Sequence, residues 1–181
     1  MKRYLCAVVL VFLSTASFAG PVEDATLSAF EGFCLENINQ QSAIPDRLNA
    51  MGIQPVKPED AAKLLKGQPG KVWLLPAAES IAALKLSDKG VCSIQSVATN
   101  PQVMMDLFAS KFRNRRTPAN DYGTTTVETF LVTYVSHDGG AENHIMVFVF
   151  RSTQQGVPGT ILHAIPERLA KSEGQGDIEW P

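Results

Sequence analysis

Apolar residues recur at spacings of three and four from Leu27 through Phe30, Phe33 and Cys34 to Ile38, which predicts an amphipathic helix over roughly 24–39. Cys34 lies on its apolar stripe, while Glu31, Asn37 and Gln40 fall on the polar side. A short second helix is predicted over 45–51, with Gly52 as its stop. A third opens at Pro58 with Glu59 and Asp60 in its first turn and ends at Gly67.

The period then changes. Val72 to Leu75 is a brief apolar run that Pro76 should end. Ile81 to Leu86 and Val91 to Val97 flank Ser87-Asp88-Lys89-Gly90, a composition suited to a hairpin loop. In the second of these strands Cys92 and Ile94 share a face, and Val91, Ser93 and Gln95 take the other. Asn100-Pro101 caps and opens a helix whose core face is Met104, Leu107, Phe108 and Phe112. Residues 113–126 are polar and read as a long loop. Val127 to Ser136 alternates, with Phe130, Val132 and Tyr134 on one face, and Ile145 to Phe150 is apolar throughout, as in a central strand. Thr160 to Ile165 forms a last strand, stopped by Pro166. The whole predicts an α+β fold: N-terminal helices and one mid-chain helix packed on a mostly antiparallel sheet of about five to six strands.

The first nineteen residues stand apart from this pattern. Lys2 and Arg3 precede a compact apolar run, Leu5 to Leu13, and Ser17-Phe18-Ala19 places small residues where a signal peptidase would cut before Gly20. The run is well short of the roughly 20 residues that a spanning helix needs. Cys6 sits too early in it to become a lipidated first residue. The reading is therefore a signal peptide over 1–19, one globular domain over 20–170 and a tail over 171–181, with the processed protein periplasmic or secreted and lacking a transmembrane segment. Removing Lys2 and Arg3 takes the net charge to about −4, which argues against nucleic acid as a partner.

Without the leader two cysteines remain, and an even pair in an exported chain is most simply a disulfide between Cys34 and Cys92. Closing about 59 residues of chain stabilises a fold by roughly 4 kcal/mol on the chain-entropy view. The competing reading, a reactive thiol or metal ligand, has no CxxC neighbour and no nearby His to support it.

Candidate chemistry is sparse. Lys111, Arg113, Arg115 and Arg116 form a basic cluster that can receive an acidic partner or a phosphate, though cations also suit a helix C-terminus and a solvated loop. His137, Asp138 and His144 gather around one hairpin loop, but their spacing matches no metal-ligand motif and no metal is expected. His163, in an apolar strand, reads as a hydrogen-bonded core or edge residue. Gly-x-Ser-x-Gly is absent, Ser87 and Ser110 have their lysines at the wrong spacing for Ser-x-x-Lys, and no phosphate-binding loop occurs. Glu23-Asp24 and Glu59-Asp60 lie in first turns, where the helix dipole accounts for them. No catalytic residue and no cofactor is predicted.

The ordered set Phe30-x-x-x-Cys34-Leu35, Gly70-Lys71-Val72-Trp73 and Asp88-Lys89-Gly90-Val91-Cys92-Ser93 resembles a family of small exported proteins and lipoproteins of proteobacteria, Neisseria among them. The matching segments lie within 30–97, and the chain departs from the lipoprotein members in having no cysteine at its cleavage site. The resemblance implies an envelope location and a disulfide, and carries no activity. The leading functional expectation is a non-enzymatic binding module, immunity-like or inhibitor-like, that engages a protein or an envelope ligand. The alternative is a periplasmic hydrolase of cell-wall material using His137, Asp138 or His144 as acid and base, with Asp121 or Tyr122 nearby.

Overall fold

A computed structural model describes residues 20–112, 114–116, 120–122, 125–135, 142–152 and 160–166. Residues 1–19, read as a signal peptide, residues 171–181, read as a tail, and Arg113, His137 and Asp138 lie outside them. Helix α1 (Pro21–Ala29) begins with Pro at its first position and Glu23 and Asp24 in its first turn. It does not continue to residue 39 as one α-helix: at Phe30–Leu35 it widens into a π-helix. A 3-10 turn, Gln41–Ala43, leads into α2 (Ile44–Ala50), and α3 spans Pro58–Leu64.

The sheet is wider than the hydrophobic pattern suggests. Strands β1 (Gly70–Ala77), β2 (Ser80–Ser87) and β3 (Cys92–Ser96) precede α4 (Pro101–Lys111). After it come β4 (Asn114–Arg116), β5 (Asn120–Tyr122), β6 (Thr125–Val135), β7 (Glu142–Ser152) and β8 (Thr160–Pro166). All pairings are antiparallel, and the order is β1-β2-β3-β8-β7-β6-β4, with β5 also on β6. The expected loop over 113–126 thus contains two three-residue strands. They have no apolar alternation of their own, and the outer edge of the long β6 supplies their pairing. Pro76 does not end β1 either. β1 is an edge strand, where a missing N–H is tolerated.

One face of the sheet carries α1, the π-helix and α4. Leu27, Phe30, Phe33, Cys34, Leu35 and Ile38 meet Leu84, Cys92, Ile94, Leu162, Ala164 and Val147 in the main core. Phe30, Phe108, Phe112 and Tyr134 form a chain of tilted rings with centroids 5.0–6.3 Å apart. Asn100 caps α4 as expected, its Oδ1 accepting from the N–H groups of Gln102 and Val103. The Cys34–Cys92 disulfide is formed and joins the π-helix to the first residue of β3. On the opposite face α3 covers Val72 with Ala61 and Leu65.

Candidate functional site

Chemically able groups lie on the second face of the sheet, in one row. Lys85 of β2 stands opposite Ser93 of β3, and Ser93 stands opposite His163 of β8. Directly opposed residues share a face. Ser93 Oγ and His163 Nδ1 are hydrogen-bonded at 2.6 Å. Lys85 reaches up from the sheet and donates through Nζ to the carbonyl of Leu64 at 2.7 Å, the last residue of α3. A cation there meets the negative end of the helix dipole.

Burial dominates the electrostatics of this row. Ser93 and His163 are 1% exposed and Lys85 3%. Burial, reinforced by the charges of Lys85 and Lys66, pushes the His163 imidazole down to about 3, so it is neutral across the physiological range. Burial, with Lys66 nearby, brings Lys85 down to about 8. A neutral imidazole beside a serine hydroxyl is the chemistry of a general base and its nucleophile. Here the pair is sealed from solvent, and its first effect is to satisfy two buried polar groups against each other. The structure places His163 in the core, hydrogen-bonded, in agreement with its reading from sequence.

A second constellation surrounds the π-helix. Lys111 Nζ lies 2.6 Å from Glu31 Oε2, and the Tyr134 hydroxyl donates to Glu36 Oε1 at 2.6 Å. Burial, the hydrogen bond to Glu36 and the charges of Glu31 and Glu36 raise the Tyr134 phenol well above its ordinary value. Lys111, first member of the predicted basic cluster, is thus engaged within its own chain. Arg115 and Arg116 occupy consecutive register positions on β4, opposite Leu131 and Phe130 at the far edge of the sheet.

The loop-centred histidine site is also distributed. His144 stands within β7 opposite Thr133, whereas Asp121 of β5 stands opposite Thr126. Seven residues along β6 separate those two positions, roughly 23 Å of strand. The backbone therefore does not bring His144 to Asp121, nor to Tyr122 beyond it. Among the described residues no group of three or more His, Cys, Asp or Glu is placed to hold a metal ion.

The third feature is apolar and open. Leu74, Ile81 and Val97 are 47%, 56% and 64% exposed. Pro76 pairs with Ile81, and Leu74 with Ala83, on the face that α3 covers only farther along the hairpin. Val97 directly follows β3, whose Ser96 pairs with Ala82. The adjoining hairpin tip is Ala78-Glu79, with Ala78 at φ 53°, a left-handed conformation that costs a side-chain-bearing residue about 1 kcal/mol. The apolar run on β1 is visible in the sequence, but only the placement of α3 tells which part of it stays uncovered. The chain matches no family model, no curated protein and no solved structure.

Proposed function

We propose that this protein is an exported, non-enzymatic binding module of the immunity or inhibitor kind, whose contact surface is the open apolar face of β1 and β2 together with Val97. The observation that carries this reading is the adjacency of Leu74, Pro76, Ile81 and Val97, whose larger side chains are about half exposed or more. Small ligands are held in concave sites, whereas projecting apolar side chains complement another macromolecular surface. The partner is accordingly a protein presenting an apolar patch. Export is supported by the leader's charge and apolar pattern, the Cys34–Cys92 bond and the resemblance to exported proteobacterial proteins. No helix among the described residues is long and apolar enough to cross a membrane. The hydrolase reading finds an apt pair in Ser93 and His163, but at 1% exposure no substrate reaches either without the fold opening.

The test compares wild type with Ile81→Asp/Val97→Asp and with Leu74→Asp as immobilised baits in envelope extract, after matching their thermal midpoints. The expected result is a stoichiometric protein retained by wild type and released by both variants. Retention of the same proteins by all three baits would remove this face as the contact surface.

A further inference from the structure

Residues 30–35 are wound differently from the rest of their helix, and the difference has consequences on both sides of it. The amide of Glu36 donates to the carbonyl of Glu31, five residues back, at 2.9 Å. In an α-helix residues five apart lie ~140° from each other around the axis. In the π register they stack, and Glu31 and Glu36 both act on Tyr134 while Glu31 also holds Lys111. Phe33, Cys34 and Leu35 are buried in succession, a run that would span ~200° of an α-helix.

A π turn is rare and needs compensation from outside the helix. Polar support comes from Asn37 Nδ2 and Arg47 Nη1, which donate to the carbonyl of Gly32 at 3.0 and 2.8 Å. Covalent support comes at Cys34, inside the widened turn, fixed to Cys92 at the start of β3. Re-winding to α would rotate Cys34 about the helix axis relative to β3, and a disulfide tolerates only a narrow range of such placements. We propose that the Cys34–Cys92 bond holds 30–35 in the π register, making the convergence of Glu31 and Glu36 on Lys111 and Tyr134 conditional on oxidation. Forming the bond takes two electrons and two protons from the two thiols, accepted by a disulfide-carrying oxidant that leaves as a dithiol. This inference is independent of the binding reading.

The experiment is NMR detection of couplings across the hydrogen bond of the Glu36 amide. Wild type should couple to the Glu31 carbonyl. In Cys34→Ala/Cys92→Ala the coupling should move to Gly32, and the Tyr134 phenol should titrate closer to its ordinary value. Should that variant fail to fold, Cys34→Val/Cys92→Ala refills part of the volume and is read in the same way. Persistence of the Glu31 coupling in a folded variant without the bond would overturn the proposal and assign the register to the burial of Leu35 and the contacts of Asn37 and Arg47.

Discussion

His163 shows how one buried side chain ties stability to pH. Its folded value, about 3, lies below the ordinary 6.5, so acid protonates the unfolded chain first. The stability that neutral His163 allows is complete above pH 6.5 and is lost as pH falls toward 3. His163→Asn, which keeps a hydrogen-bonding group for Ser93, should flatten that part of the profile by a few kcal/mol. Urea midpoints for both proteins at pH 7, 5 and 4 check it; parallel losses would mean other groups govern the acid limb. The apolar strand around His163 made its burial legible in the sequence. Lys85 was not legible, because a lysine alternating with apolar residues reads as the wet side of a strand. It is buried only because α3, from another part of the chain, closes over that face.

At the scale of elements the hairpins could be read from local pattern and the disulfide from the even cysteine count, and the exceptions lie where packing decides. Phe30, Phe33, Cys34 and Ile38 fit an α period, so the run Phe33-Cys34-Leu35 was the one signal of a wider turn. β4 and β5 are polar, and become strands only because β6 offers an edge. Gly70 begins β1 where two backbones press together: a Cβ there would meet the Leu86 carbonyl oxygen and lie 2.9 Å from the Ser87 Cα. Backbone cannot swing aside as a flexible side chain does, so Gly70→Ala should cost about 1–3 kcal/mol. Chemical denaturation measures it, and an unchanged midpoint would show that the first residue of β1 can detach from β2 freely.

For the molecule as a whole, the exposed edge at β1 is a hazard that the chain manages in two ways. The Val56 amide donates to the Val72 carbonyl, so the segment at Pro55–Val56 covers the first half of the edge. Val72, Leu74 and Pro76 share the outward backbone orientation, and Pro76 presents no N–H to a neighbouring strand. Pro76→Val restores that donor and should produce concentration-dependent association, read by light scattering after gel filtration. A variant that stays monomeric at every concentration would leave the Pro55–Val56 segment as a sufficient guard. The contact surface proposed for partners adjoins this edge, and no alternation along the chain distinguishes a face kept open from one covered by α3.

Among the described strands the last in the chain, β8, occupies a middle position, with β3 on one side and β7 on the other. Until it arrives, the nascent polypeptide holds two half-sheets, each with a raw inner margin, and the Cys34–Cys92 bond lies wholly within the earlier half. The bond can therefore close on a waiting fragment, but the interior cannot seal until residues 160–166 are delivered. Completion of the sheet is thus deferred until residues 160–166 arrive, and any event that stalls the chain short of that point leaves two sticky margins exposed for as long as the delay lasts.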